Sequence, residues 1–301
     1  MKIAGKVTID DLPRICPLLC RKTNPRYGSE HVRAVEVGGV RLGKGLPVVI
    51  AGPCAVESYE QTMEVAGIVK ASGADMLRGG AFKPRTSPHE FQGLGLEGLK
   101  ILRTAGDKTG LPVVTEVIDV RLVDMVAEYA DMIQVGSRSM QNYPLLVEVG
   151  RAGKPVLLKR GMAASLCEWL GAAEYIAKEG NLEIVLCERG IKAPTFGEYS
   201  RFCLDLNVIP AIREQTFLPV IVDPSHATGV TTMVEMASRG AIEFGCDGLI
   251  IEIATDRIDS PKPRCDADQA IDPPTLRRII HYVHSREERT GEKVAVGGWV
   301  A

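Results

Sequence analysis

Aromatic residues make up only 5% of this sequence, histidines number five and tryptophans two, and the formal net charge at pH 7 is −2, with a pI near 6.3. So small a net charge provides no global basic field for nucleic acid or an anionic membrane surface. Any anion must then be held by locally arranged cations, and the expected partners are small molecules. No apolar run approaches the roughly 20 residues that a spanning helix needs, so no membrane segment is expected. A basic n-region followed by an apolar h-region is missing at Met1, and the eight cysteines do not form paired spacings. Free thiols in a reducing cytoplasm are therefore the expected setting. Cys16 and Cys20 have no second pair nearby to complete a zinc knuckle and read as unrelated thiols. No GxGxxG turn follows directly on a strand-like run, the string at 93–98 lying well beyond the run at 75–77, which counts against a doubly wound dinucleotide-binding sheet, the runner-up architecture.

What remains is a 301-residue chain, 45% hydrophobic and 25% charged, long enough for one large barrel or two smaller domains. Residues 1–45 form an irregular lead-in, broken by Pro13, Pro17 and Pro25, with a β-hairpin expected over 35–42 around Gly38-Gly39. From Pro47 onward a short β-branched run followed by a segment of helical period repeats eight times. The runs lie near 48–51, 75–77, 113–115, 132–135, 156–158, 184–186, 220–222 and 248–251. Helical patterns fall between them, as at 60–71, 122–129, 168–178 and 230–244, and 274–286 closes the series. Eight such units predict a (β/α)8 TIM barrel over 46–290, with a tail at 291–301, and strands buried on both faces are apolar throughout, as these are.

Active sites of such barrels form where the strands end. Here the strand ends deliver Cys54, Arg78, Lys83, Arg85, Glu116, Arg138, Lys159, Arg160, Glu188, Arg189, Lys192, Asp223, His226 and Glu252 in chain order. A ring of cations on a protein of slightly negative net charge predicts two bound anionic groups, with Thr86 and Ser87 as further donors. Arg160 and Lys192 suit rim ion pairs with Glu116, Glu188 or Asp223 as well as they suit ligand contact. Cys54, His226 and Glu252 come from strands one, seven and eight and become neighbours only when the barrel closes. A thiolate, an imidazole and a carboxylate suit Mn²⁺, Fe²⁺, Co²⁺ or Zn²⁺, with Asp266 or Asp268 as a fourth ligand. Cys167, Cys187, Cys203 and Cys246 read as core or near-core thiols, Cys167 and Cys203 within helical segments, and His281 and His284 as solvated residues of a basic helix.

The segments 51–58 (AGPCAVES), 77–88 (LRGGAFKPRTSP), 134–138 (QVGSR), 155–161 (PVLLKRG), 186–190 (LCERG) and 222–226 (VDPSH) resemble the 3-deoxy-D-arabino-heptulosonate 7-phosphate (DAHP) synthases, in particular their type Iβ branch. The resemblance runs from about 35 to 269. It implies a metal-dependent, aldol-type condensation of phosphoenolpyruvate with D-erythrose 4-phosphate and water, the entry to the shikimate pathway of aromatic amino acid biosynthesis. Carried over by motif, Arg78, Lys83, Arg138, Lys159 and Arg189 hold phosphoenolpyruvate, and Arg85 and Thr86 take erythrose 4-phosphate, with Ser87 and Asp223 also at the substrates. Cys54, His226, Glu252 and Asp266 bind the divalent metal, and Lys83 is the candidate proton carrier. The related 3-deoxy-manno-octulosonate 8-phosphate synthases carry an asparagine-containing variant of the loop that reads Lys83-Pro84-Arg85-Thr86 here, so the loop favours the heptulosonate branch.

The chain departs from the family pattern where Ile253-Ala254-Thr255 replaces a His-Pro after Glu252, and where Cys265-Asp266-Ala267 replaces Ser-Asp-Gly. The intervening loop is also longer. These departures keep Asp268 open as the fourth ligand and another aldose phosphate open as substrate. Some relatives add a ferredoxin-like or chorismate-mutase domain, for which the stretch before Val35 is too short. The expectation is a catalytic core that forms a homo-oligomer, tetramer or dimer, with a separate chorismate mutase as the source of any feedback control. Two readings of other classes are a Schiff-base aldolase using Lys83 or Lys159, and a non-catalytic phosphate- or partner-binding barrel. The latter predicts damaged ligands, whereas Cys54, His226, Lys83 and Arg85 are all in place.

Overall fold

The computed structural model describes residues 8–24, 32–193, 201–255 and 265–289. A single-turn helix, α1 (Leu12–Ile15), precedes a hairpin of β1 (Val35–Val37) and β2 (Val40–Leu42). Gly38 and Gly39 both take positive φ, 55° and 89°, which matches the twist of a two-residue hairpin turn.

Eight parallel strands follow: β3 (Val48–Gly52), β4 (Met76–Arg78), β5 (Val113–Val117), β6 (Met132–Val135), β7 (Val156–Lys159), β8 (Ile184–Glu188), β9 (Val220–Val222) and β10 (Gly248–Glu252). They close in sequence order, β10 pairing with β3 so that Glu252 lies beside Gly52. Every strand residue is buried except the half-buried Glu116, as expected of strands covered on both faces. The strands match the sequence expectation to within two residues at each end.

The outer ring comprises α2 (Tyr59–Ser72), α3 (Leu96–Thr109), α4 (Val123–Tyr129), α5 (Tyr143–Arg151), α6 (Leu166–Lys178), α7 (Val208–Gln215), a short α8 (Pro224–Thr228), α9 (Thr231–Glu243) and α10 (Pro273–Arg289). Local chemistry sets their ends. The Ser58 side chain accepts from the Gln61 amide at the start of α2, and Gly73 ends that helix in the left-handed region. Ser165 and Glu168 form a capping box at the start of α6.

A cluster of buried side chains fills the barrel interior, among them Ile50, Met76, Val114, Met132, Leu157, Val185, Ile221 and Ile250. The hairpin residues Val35, Val37 and Leu42 pack into that same cluster, so the lead-in plugs the N-terminal end of the barrel and leaves the other end for the site. A larger cluster fills the space between strands and helices, with Trp169 and Phe217 as its bulkiest fully buried members. At Gly52 a Cβ would stand 2.0 Å from the Arg78 carbonyl oxygen, so only glycine lets β3 and β4 approach there. Cys203 corrects the sequence reading. It lies outside any helix, exposed, in an isolated bridge to Ile191, because the chain there runs over the barrel rim. Among the described residues no helix is long and apolar enough to cross a membrane.

Candidate active site

At the C-terminal end of the barrel, four side chains from separate places in the chain converge. Cys54 follows β3, His226 sits in α8, Glu252 ends β10 and Asp266 opens the segment beyond it. One ligand atom from each lies within 4.8 Å of all the others. Asp266 adopts φ 47° and ψ 40°, the single positive-φ non-glycine among the described residues, a conformation that aspartate tolerates better than most. Asp268 is exposed and outside this group, so geometry selects Asp266 of the two candidates.

His226 is oriented from behind. Asp223 caps α8, accepting from the His226 amide at 2.9 Å, and its Oδ2 lies 2.7 Å from Nδ1. Burial lowers the imidazole pKa despite the opposing Asp223 and Glu252 charges, so the ring is neutral, with Nδ1–H donating to Asp223 and the Nε2 lone pair facing Glu252 and Asp266 at 3.3 and 3.8 Å. A carboxylate behind the imidazole is the arrangement that fixes the tautomer of a metal-binding histidine. Burial opposes ionisation of Asp223, but His226 and Lys159 hold its pKa well below the ordinary range. Lys159 Nζ is 2.5 Å from the Asp223 Oδ2. Asp223, which the sequence expectation put at the substrates, is fully buried, absent from the pocket wall, and in contact with His226 and Lys159.

Glu252 is fully buried, accepts from Gln269 Nε2 at 2.6 Å through Oε2, and donates its backbone amide to Ser225 Oγ at 3.0 Å. Its Oε1 lies 3.0 Å from Arg78 Nη2, yet outside hydrogen-bond geometry. A buried carboxylate oxygen without a hydrogen-bond partner among the described residues, a free imidazole lone pair and a thiol, all converging, fit a mixed-donor divalent metal. Lys83 Nζ donates to the Cys54 carbonyl at 3.1 Å and to its Sγ at 3.0 Å. Burial works against the Lys83 ammonium, but the neighbouring thiols and Glu252 outweigh it and raise its pKa. Cys54 donates to Cys265 Sγ, and that bond first, then burial, holds its thiol well above the usual range.

The cations form a pocket beside this cluster. Arg78, Lys83, Arg85, Thr86, Arg138, Lys159 and Arg189 line it together with Glu116 and Gln134. Arg78 Nε and Nη1 and Arg189 Nη1 are buried without a hydrogen-bond partner among the described residues, donors that an anion would satisfy. Arg138 reaches across to the Pro84 carbonyl at 3.1 Å, joining two loops of the wall. Arg85 is held by Glu90 at 2.5 Å and by Cys265 Sγ at 2.6 Å. Ser87 does not line the pocket; its Oγ accepts from the His89 amide and shapes the turn.

Arg160 is a buried ion-pair residue, bonded to Glu188 at 2.9 Å and Asp205 at 2.8 Å, which settles its two readings, and Lys192 does not reach the wall. Sequence reasoning missed Arg201 and Phe202, which also line the pocket, and Gln269 behind Glu252. No local pattern announces these three. The short helix α8 was also missed, although Asp-Pro at 223–224 is an N-cap followed by proline at the first helical position.

The DAHP synthetase I family pattern matches residues 24–290. Phospho-2-dehydro-3-deoxyheptonate aldolase of Thermotoga maritima is 44% identical over 260 residues, covering 86% of this chain and 75% of that protein. The 2-dehydro-3-deoxyphosphooctonate aldolase of Geobacter sulfurreducens is 31% identical over 258 residues, covering 79% and 92%. In three dimensions, the crystal structure of the Thermotoga maritima DAHP synthase superposes with a TM-score of 0.83 at 42% identity, covering 91% of this chain and 77% of that one. A truncated form of 3-deoxy-D-arabino-heptulosonate 7-phosphate synthase from the same organism gives 0.81 at 40% identity, covering 92% and 98%. With the closed parallel barrel and the motifs at its strand ends, these likenesses lead to one conclusion: the chain belongs to the DAHP synthetase I family.

Proposed function

We propose that this protein is a DAHP synthase, condensing phosphoenolpyruvate with D-erythrose 4-phosphate and water to give DAHP and inorganic phosphate, the first step of the shikimate pathway. The observation that carries the reading is the four-donor cluster of Cys54, His226, Glu252 and Asp266 at the edge of a pocket where Arg78 Nε and Nη1 and Arg189 Nη1 are buried without a hydrogen-bond partner among the described residues. Arg78, Lys83, Lys159 and Arg189, all buried, take phosphoenolpyruvate together with the more exposed Arg138, and Arg85 and Thr86 take the aldose phosphate.

The cluster would hold one divalent ion, Mn²⁺, Fe²⁺, Co²⁺ or Zn²⁺, which supplies Lewis-acid polarisation of the aldehyde. The chain's own residues do the rest. Arg78 and Arg189 fix the enol phosphate in a low-dielectric wall, where their charges act strongly on developing negative charge. As the enol carbon attacks, Lys83, held as an ammonium, donates a proton to the aldehyde oxygen. Water then adds at the cationic carbon and releases a proton that restores Lys83, and phosphate leaves against the cations. A Schiff base would need a neutral amine, and the raised pKa of Lys83 and the Asp223 ion pair of Lys159 both work against one.

The similarity to phosphooctonate aldolases supports a second reading with a longer aldose phosphate, which the loop sequence Lys83-Pro84-Arg85-Thr86-Ser87 disfavours. The test is phosphoenolpyruvate consumption with erythrose 4-phosphate against arabinose 5-phosphate, each at saturation. Preference for erythrose 4-phosphate is expected; consumption with arabinose 5-phosphate alone overturns the substrate assignment. The proposal extends to a cytoplasmic homo-oligomer whose catalytic unit spans 46–290, with a separate chorismate mutase as regulatory partner. The lack of basic surplus supports the absence of nucleic acid among its partners.

A further inference from the structure

The buried cations of the pocket are secured in different ways. Lys83 donates to Cys54, Lys159 pairs with Asp223 at 2.5 Å, and Arg78 faces Glu252 Oε1 at 3.0 Å. Arg189, 6% exposed, makes no ion pair among the described residues, and its Nη1 is buried without a hydrogen-bond partner among them. What lies against it is an aromatic face: its Cζ stands 4.2 Å from the centroid of the Phe202 ring. That is well inside the roughly 6 Å at which a ring quadrupole attracts a cation, and removal from water strengthens the attraction. The N–H donors of a guanidinium lie in its plane. A ring on the face therefore holds the group without consuming a donor, whereas carboxylates consume them, as Glu188 and Asp205 do at Arg160.

The ring is itself placed by backbone. Cys203 and Ile191 exchange two backbone hydrogen bonds of 2.9 Å, and the amides of Arg201 and Phe202 donate at 2.9 Å to the carbonyls of Thr228 and Ala227, which follow His226 in α8. Gly190, next to Arg189, takes a φ of 88°, and a Cβ there would stand 2.7 Å from Phe202 Cβ. Only glycine leaves room for Phe202 beside the arginine. Phe202 is half-buried and lines the pocket with Arg189, and Arg201 lies farther out over the same ring at 5.6 Å. We propose that Phe202 is a positioning residue for anion binding, its ring holding the Arg189 guanidinium by the face and leaving the donors of that group for phosphoenolpyruvate. The inference rests on the reading of Arg189 as a ligand of phosphoenolpyruvate, and Phe202 acts through that arginine alone.

The experiment titrates phosphoenolpyruvate calorimetrically into Mn²⁺-loaded protein without aldose, comparing wild type, Phe202→Leu, Arg189→Met, the double variant, and protein carrying a trifluorinated phenylalanine at position 202. Leucine keeps apolar bulk and loses the ring; fluorination keeps the shape and withdraws charge from the face. Phe202→Leu should raise the Kd about 5–30-fold, as for loss of a partly desolvated cation–π contact. The fluorinated ring should weaken binding in the same direction, while the KM for erythrose 4-phosphate stays within about twofold of wild type. In the Arg189→Met background, Phe202→Leu should change the Kd by less than about twofold, because the pair it breaks is already gone. Unchanged affinity in Phe202→Leu, or an equal loss in the Arg189→Met background, overturns the proposal. A loss in Phe202→Leu with none in the fluorinated protein makes the ring a spacer and overturns it too. If wild type binds no phosphoenolpyruvate, the functional reading fails instead, and inorganic phosphate titrated into the same proteins decides the role of Phe202 by the same comparison; no phosphate binding to wild type overturns that role as well.

Discussion

Replacing Asp223 with Asn tests how the site is held together. The Asp223 carboxylate accepts from His226 Nδ1 at 2.7 Å and from the His226 amide at 2.9 Å, and pairs with Lys159 Nζ at 2.5 Å. Asparagine keeps an acceptor and the cap but removes the charge. Loss of such a support behind a metal-binding histidine typically weakens metal affinity about 10–100-fold, roughly 1.4–2.7 kcal/mol. Lys159, 4% exposed, is left as a buried ammonium without its counter-charge. Breaking a buried pair on one side costs about 3–5 kcal/mol, and the retained amide oxygen places this variant at the low end. The sign of the pH dependence follows from the direction of the shift. The folded-state pKa of Asp223 is depressed, so its stabilisation is complete above the unfolded value of about 3.9 and is lost as pH falls through the lower folded value. The stability difference between wild type and Asp223→Asn should therefore be constant from neutrality down to about pH 4 and shrink below it. Calorimetric Mn²⁺ titration measures the affinity and denaturant unfolding across pH the stability. Metal affinity within twofold of wild type, together with unchanged stability at neutral pH, would refute the assignment of Asp223 as the support of His226 and Lys159.

Further outcomes follow from single contacts. Lys83→Met should lower kcat by about 10²–10⁴-fold, as for loss of a positioned proton donor, while phosphoenolpyruvate still binds; near-normal turnover at saturating substrates would remove Lys83 from proton transfer. Gly52→Ala places a Cβ 2.0 Å from the Arg78 carbonyl and should destabilise the barrel by at least about 3 kcal/mol in denaturant unfolding, beyond ordinary overpacking because backbone is the obstacle. Arg160→Met leaves the fully buried Glu188 without its guanidinium partner and should cost about 3–5 kcal/mol. In that variant, a loss of phosphoenolpyruvate affinity without a loss of stability would instead return Arg160 to the substrate pocket.

The barrel was legible because its strands are short apolar runs at a steady spacing and its chemistry sits where those runs end. Gly38-Gly39 likewise announces its hairpin by local backbone demand alone. What was not legible depends on pairs that no local pattern records. Arg160 reads like every other cation of the ring until Asp205 and Glu188 close on it. Asp223 stands in the same motif as His226, and only the fold shows its side chain bonded to that histidine and to Lys159. Asp266 and Asp268 are chemically equal in sequence and are separated by the backbone turn at Asp266. The contact of Cys54 with Cys265 follows from barrel closure, which brings the end of β3 beside the segment after β10.

Turnover of chelator-stripped protein on restoring a divalent metal is the most direct measurement, following loss of the enol absorbance of phosphoenolpyruvate in the presence of erythrose 4-phosphate. The account predicts no consumption without metal, recovery that saturates at one equivalent of Mn²⁺ per chain, and no recovery in His226→Ala. Undiminished consumption in the stripped protein, or consumption that proceeds without erythrose 4-phosphate, would contradict it.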